Sequence, residues 1–151
     1  MRIIAKNKRA RFDYVIKEVY SAGIVLSGHE VKSVKAGHIS LKGSFVSVKN
    51  SEAYLTNAHI TLYSNAANIK GYDPVRSRKL LLHRKELDQI FSSSKTQGLS
   101  VVPQAIGVER GLVKVELGVG RGKKRHDKRE TIKKRDMLRD ADREIKPGKA
   151  R

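Results

Sequence analysis

Cysteine is absent from this 151-residue chain. No disulfide framework can staple it, and no thiolate can bind zinc. Tryptophan is absent as well, and only five Tyr and three Phe are present. A large aromatic platform for stacking single-stranded bases is therefore not expected, and recognition of backbone and shape is favoured over base-by-base reading. No apolar run approaches the roughly 18–20 residues that span a bilayer. The segment Met1 to Arg11 lacks the apolar core of a signal peptide. These absences lead to the expectation of a cytosolic protein with no membrane partner. Acidic residues are also scarce, 15 Asp/Glu against 33 Lys/Arg, for a net charge of +18. Solubility alone calls for a magnitude of about 2 to 8. The excess points to a polyanionic partner, nucleic acid before an anionic membrane surface.

The charge is distributed unevenly. Residues 119–151 carry 14 Lys/Arg and 6 Asp/Glu, a net of +8, with only Val119, Ile132, Met137, Leu138 and Ile145 large and apolar. So few apolar side chains cannot offset the entropy of ordering the segment alone. Residues 121–151 are therefore expected to be a disordered basic tail on a folded domain spanning 1–120. Glu130 to Ile145 has the pattern of a helix that forms on binding. Arg135, Arg139 and Arg143 fall at i, i+4, i+8, and two Asp–Arg pairs at i, i+3 support the helix by about 0.2–0.5 kcal/mol each.

Within 1–120 the pattern is mainly β. Residues 1–11 read as a basic arm. Phe12 to Tyr20 reads as a strand, interrupted at Ala22-Gly23 and resumed at Ile24 to Leu26. Val31 and Val34 with Gly37 beyond them predict a short helix over His29 to Ala36. Ser44–Val48 and Ala53–Thr56 alternate with period two around Asn50-Ser51, a hairpin. Residues 64–76 read as a long loop. Lys79 to Leu82 is a short apolar run, and Leu87, Ile90 and Phe91 give Arg84 to Lys95 one helical apolar face. Leu99–Val102, Ala105–Val108 and Leu112–Val119 read as three further strands. The expected fold is a small antiparallel β-barrel of the oligonucleotide-binding kind, with two to three flanking helices.

Nothing in the sequence assembles a catalytic centre. The five histidines, His29, His38, His59, His83 and His126, show no zincin spacing, so neither a metal nor another cofactor is expected. Gly118-x-Gly120-x-Gly122-Lys123-Lys124 fails the phosphate-loop pattern at Leu117 and at Lys124, and no βαβ unit surrounds it. Its glycines are read as loosening the join between the last strand and the tail and letting backbone lie near phosphate. The basic groups do cluster: Asn7, Lys8, Arg9 and Arg11; Lys32 and Lys35; Arg76, Arg78 and Lys79. Each cation can neutralise a phosphate and release counterions.

Five ordered motifs then give a resemblance over nearly the whole chain. They are Asn7-Lys8-Arg9-Ala10-Arg11, Gly28-x-Glu30-Val31-Lys32-Ser33-Val34-Lys35-Ala36-Gly37, Asn57-Ala58-His59-Ile60, Asp73-Pro74-x-Arg76-x-Arg78-Lys79-Leu80-Leu81-Leu82, and Gly122-Lys123-Lys124-x-His126-Asp127-Lys128-Arg129. In this order they closely resemble the SsrA-binding protein (small protein B) family. The resemblance implies a bacterial, cytoplasmic, non-enzymatic adaptor, expected to be a monomer. It would bind the tRNA-like domain of transfer-messenger RNA and bring it to stalled ribosomes, where trans-translation tags the incomplete protein. The family is also reported to favour aminoacylation of that RNA by alanyl-tRNA synthetase. Carried over by motif, Asn7, Lys8, Arg9, Arg11, Lys32 and Lys35 would contact RNA, and Leu81 and Lys114 match a family patch associated with RNA binding. Gly122, Lys123, Lys124, His126, Asp127, Lys128 and Arg129 would act at the small-subunit decoding site. The tail beyond would enter the messenger channel as a helix. Two other classes stay open on composition: a ribosomal or ribosome-assembly protein with a basic extension, and a nuclease using a histidine and an acidic residue.

Overall fold

The computed structural model describes residues 1–62, 71–123, 129–130 and 132–139. Among the described residues up to Gly122 there are nine strands and three helices. They are β1 (Arg2–Lys6), α1 (Lys8–Asp13), β2 (Tyr14–Ile24), α2 (Gly28–Lys35), β3 (Ile39–Ser40), β4 (Phe45–Lys49), β5 (Glu52–Thr56), β6 (His59–Ile60), β7 (Arg78–Leu81), α3 (Arg84–Thr96), β8 (Ser100–Glu109) and β9 (Leu112–Gly122). Seven strands form one antiparallel sheet in the order β1-β8-β9-β2-β7-β5-β4, and β3 pairs with β6 in a second, two-stranded sheet. Leu55, Ile60, Leu80, Ile90, Ile106 and Leu117 fill the core and are essentially inaccessible. No helix among the described residues is long and apolar enough to cross a membrane.

The expected barrel is not closed. β4 ends the large sheet and curls back against β8, but β1 and β4 share no ladder. β8 pairs with β9 on one side and with β1 on the other over Ala105 to Val108. β4 instead comes up to the other end of β8, where Val46 and Val48 share a groove with Val101 and Val102 without a ladder between the strands.

Local chemistry accounts for the elements. Both tight hairpins use two consecutive residues at positive φ, Asn50 (50°) with Ser51 (63°) and Arg110 (50°) with Gly111 (79°). Such turns match the right-handed twist of the strands they join. Helix α2 ends at Gly37, φ 87°, as its sequence predicts. The first eleven residues are not a loose arm. Ile3, Ala5 and Lys6 pair with β8, and Asn7 caps α1 by accepting from the Ala10 N–H. The expected break at Ala22-Gly23 is also not found. β2 runs through it, with Ala22 in the core, and its irregularity falls between Ile16 and Glu18. β8 is one strand, and Pro103, which has no N–H to donate, sits at a register shift before Ala105.

The described part of the tail, residues 129–130 and 132–139, is helical. All of these residues are solvent-facing, Met137 and Leu138 at 64% and 70% exposure.

Candidate nucleic-acid interface

The basic clusters separate into two kinds once folded. Arg78 was expected on the RNA-facing surface, but its side chain is wholly buried. All five of its guanidinium N–H groups are taken. Nε donates to Glu30 Oε2 (2.8 Å), Nη1 to the carbonyls of Ala58 (2.8 Å) and Arg76 (3.1 Å), and Nη2 to Tyr72 Oη (3.1 Å) and the Pro74 carbonyl (2.9 Å). Arg76 is half-buried and its Nη2 donates to Glu30 Oε1. Glu30, itself at 0% exposure, also accepts from the Ser27 N–H (3.0 Å) and hydroxyl (3.1 Å) at the start of α2. Burial pushes this carboxyl up. The hydrogen bonds from Arg76, Ser27 and Arg78 outweigh that push and hold it down at about 2. The third basic set is thus largely a charged anchor that ties α2 to the 72–78 turn. Lys79 is at the surface and pairs with Glu52 at 3.0 Å, and the half-buried Arg76 also keeps part of its side chain in solvent.

Asn7 is likewise a structural residue. It is buried, its Oδ1 caps α1, and its Nδ2 donates to the Pro103 carbonyl at 2.9 Å. This double anchorage fixes α1 on β8 and presents Lys8, Arg9 and Arg11 to solvent; Arg9 is paired with Asp13 at 3.3 Å. Lys32 and Lys35 are exposed on α2, opposite the buried Glu30, Ser33 and Val34.

Leu81 and Lys114 are brought together by register. Gly23 of β2 pairs with Leu81 of β7 on one side and with Lys114 of β9 on the other. A Cβ on Gly23 would lie 3.3 Å from Leu81 Cβ, so the glycine lets the leucine lie across it. Leu81 is 52% exposed despite its size. Both residues line a cleft of about 780 Å³, together with Ser21, Lys79, His83 and Arg84. Lys114 also faces Gly107 of β8, so its long side chain rises between two glycines. The next row reads Ala105, Glu116, Ser21 across β8, β9 and β2, a carboxylate between two small residues.

The glycine-rich end of β9 is not a loose join. β9 runs to Gly122, which pairs with Tyr14, and the Lys123 N–H donates to the Asp13 carbonyl at 2.7 Å. A Cβ on Gly120 would stand 2.0 Å from the Val15 carbonyl oxygen, and one on Gly118 would stand 2.8 Å from Gln104. These glycines serve close strand packing. Lys123 Nζ donates to the Arg11 carbonyl (3.1 Å), so the start of the tail lies beside the α1 cations. Arg129 is exposed on the tail helix. Lys124, His126, Asp127 and Lys128 lie outside the described residues.

Although aromatics are few, the fold gathers Tyr14, Phe45 and Phe91 around one groove, where Lys95 Nζ stands 4.7 Å over the Phe91 ring. Among the described residues, no group of three or more His, Asp or Glu is placed to hold a metal ion.

A family model described as SmpB protein matches residues 4–147 of this chain. A protein named SsrA-binding protein from Acetivibrio thermocellus is 48% identical over 145 residues, covering 96% of this chain and 94% of the relative. Another of that name from Acaryochloris marina is 45% identical over 147 residues, covering 97% and 96%. Among solved structures, a chain from one described as "tmRNA-SmpB: a journey to the center of the bacterial ribosome" superposes with a TM-score of 0.65 at 44% identity. That match covers 85% of this chain and 93% of the other.

Proposed function

The chain belongs to the SmpB protein family, and from that membership we propose that it is an RNA-binding adaptor for transfer-messenger RNA. It binds the tRNA-like domain of that RNA and delivers it to stalled bacterial ribosomes for trans-translation. The observation that carries this reading is 45–48% identity, over nearly the whole chain, to proteins named SsrA-binding protein, combined with a net charge of +18. The adaptor role needs no chemistry from the protein, and the reading is non-enzymatic and cytoplasmic.

We assign residues 1–120 the role of a barrel-like RNA-binding domain and residues 121–151 that of a tail. The curl of β4 onto β8 supports the likeness to an oligonucleotide-binding barrel. Lys8, Arg9, Arg11, Lys32, Lys35, Lys79, Leu81 and Lys114 are the proposed RNA contacts, because each is on the surface or lines the cleft. Asn7, Arg76 and Arg78 support that surface from within. Gly122, Lys123, Lys124, His126, Asp127, Lys128 and Arg129 are the proposed decoding-site contacts. The tail beyond them follows the messenger channel as a helix that RNA phosphates stabilise.

Affinity capture of the full chain from a bacterial extract, followed by sequencing of the bound RNA, tests the reading. One discrete structured RNA, the transfer-messenger RNA, is expected. Recovery of whole ribosomal subunits without it would favour a ribosome-assembly protein instead.

A further inference from the structure

The open seam of the sheet is where this chain leaves aromatic surface to solvent. β4 and β8 meet there without a ladder. Phe45 of β4 and Phe91 of α3 line the seam at 47% and 41% exposure, in a chain with three Phe and no Trp. Tyr14, at the start of β2, lines it as well, and the valines of β4 and β8 supply apolar walls. Large apolar side chains gathered in solvent around one groove are a mark of binding.

Shape and charge narrow the occupant. The groove has a volume of about 320 Å³. Strand addition is unfavourable on length. On the outer edge of β8, β1 pairs from Ala105 onward, and Asn7 takes the carbonyls of Pro103 and Gln104. Only Ser100 to Val102 are left, fewer than the five or six residues of a usual strand. Among the described residues lining the groove none is acidic, and the one charged group is Lys95, its Nζ 4.7 Å over the Phe91 ring. An exposed cation–π contact is weak. A base that stacks on the ring displaces the ammonium, which then meets the phosphate of the same nucleotide. A flat, apolar-faced, anionic ligand is what this groove fits.

Position selects the source. Tyr14 pairs with Gly122, and the next residue, Lys123, bonds the carbonyls of Asp13 and Arg11. The groove therefore borders the root of the tail, the segment assigned above to the decoding site. Gly23, beneath the Leu81 and Lys114 cleft, lies nine residues further along β2, roughly 30 Å at the rise of a strand.

We propose that the seam between β4 and β8 is a nucleobase pocket, in which an unpaired base of the small-subunit ribosomal RNA stacks on Phe45 and Phe91 with Lys95 on its phosphate. This rests on the ribosomal part of the function proposed above.

The full-length protein and its variants are titrated with purified small ribosomal subunits and, separately, with a transcript of the tRNA-like domain. Phe45→Leu and Phe91→Leu keep the groove apolar and each remove one aromatic face. Each is expected to weaken binding to the subunits roughly ten-fold, within the range of one lost base stack, while Phe91→Tyr binds like the unaltered protein. The salt dependence is unchanged in Phe91→Leu, because no phosphate contact is lost, and its slope falls by about one in Lys95→Met. None of these variants changes binding to the transcript. Undiminished subunit binding by the two leucine variants overturns the proposal, because an apolar wall then suffices. An equal loss on the transcript also overturns it, by moving the base to the other RNA. So does a dimer of the free protein that Phe91→Leu dissociates, since the groove then belongs to a second copy. Failure of the unaltered protein to bind small subunits would instead overturn the ribosomal reading itself. Both phenylalanines stand half in solvent, so the variants are expected to fold, and thermal melting of each verifies it.

Discussion

The Arg78 Nε lies 2.8 Å from the Glu30 Oε2, and both side chains are completely removed from solvent. Two opposite charges are thus exchanged from water into the protein together, and Tyr72, Arg76 and three backbone carbonyls complete the set. Removing one partner leaves the other charge stranded. Arg78→Ala is expected to destabilise the fold by about 3–5 kcal/mol, the cost of breaking a buried pair from one side. Arg78→Met with Glu30→Leu together should cost less than the sum of the single changes, because no buried charge remains. Urea unfolding of the four proteins completes the cycle, and additive losses would contradict a coupled pair.

The same carboxylate makes stability depend on acidity. Glu30 is held at about 2 in the folded chain against an ordinary 4.5. A lowered folded-state value means that the ionised form is favoured by folding. The contribution is therefore fully present above about pH 4.5 and is lost as the pH falls from there towards 2. Its size is on the order of 3 kcal/mol. Unfolding free energies measured between pH 6 and pH 2 should fall steeply through this window. Glu30→Gln should start less stable and show a correspondingly flatter acid limb; an unchanged limb would mean that other carboxylates govern acid unfolding.

Much of this anchor was present in the sequence in a form that charge counting does not detect. Arg78-Lys79-Leu80-Leu81 alternates in burial, Arg78 and Leu80 inward, Lys79 and Leu81 outward. With Leu80 taken as core, period two puts Arg78 inside and Leu81 on the surface. Glu30, Ser33 and Val34 share one face of α2 at i, i+3 and i+4, so a buried partner for Arg78 was also legible. The hairpins at Asn50-Ser51 and Arg110-Gly111, the Gly37 stop and helix α3 follow from local turn and cap chemistry, and they lie where that chemistry predicts. Helix α1 does not. Six residues are too few to show a period, and it exists because Asn7 caps it and Ala10 is buried. The pairing of Ser21 with Glu116 joins residues far apart in the chain, which local pattern cannot reveal.

The glycines of β9 give a third test. At Gly120 an added Cβ meets the Val15 carbonyl oxygen at 2.0 Å, whereas at Gly122 nothing lies within 4 Å. Gly120→Ala must therefore push two backbones apart. It should cost about 1–3 kcal/mol or somewhat more, as overpacking of a fixed core does. Gly122→Ala should leave the melting temperature close to that of the unaltered protein. Equal tolerance at both positions would return these glycines to a role in chain flexibility or phosphate approach.

The last prediction concerns where the folded domain can be cut. By composition the basic tail begins near Gly120, yet β9 continues through Arg121, paired with Val15, and Gly122, paired with Tyr14. Lys123 adds a backbone bond to Asp13 and a side-chain bond to the Arg11 carbonyl. A chain ending at Gly120 loses those pairings and exposes the start of β2, beside the α1 cations. A chain ending at Lys123 keeps them. The longer truncation is expected to melt like the full protein and to retain most of its affinity for the tRNA-like RNA, since Lys8, Arg9, Arg11 and Lys114 remain in place. The shorter one should lose stability, and some affinity with it. Both lack Asp127, Lys128 and Arg129 and should fail to support tagging on stalled ribosomes. Melting curves, RNA titrations and a reconstituted tagging assay on the two truncations separate these effects. Full tagging by the chain ending at Lys123 would remove the tail from the mechanism, and a large loss of RNA affinity in that same chain would make the tail a principal RNA contact.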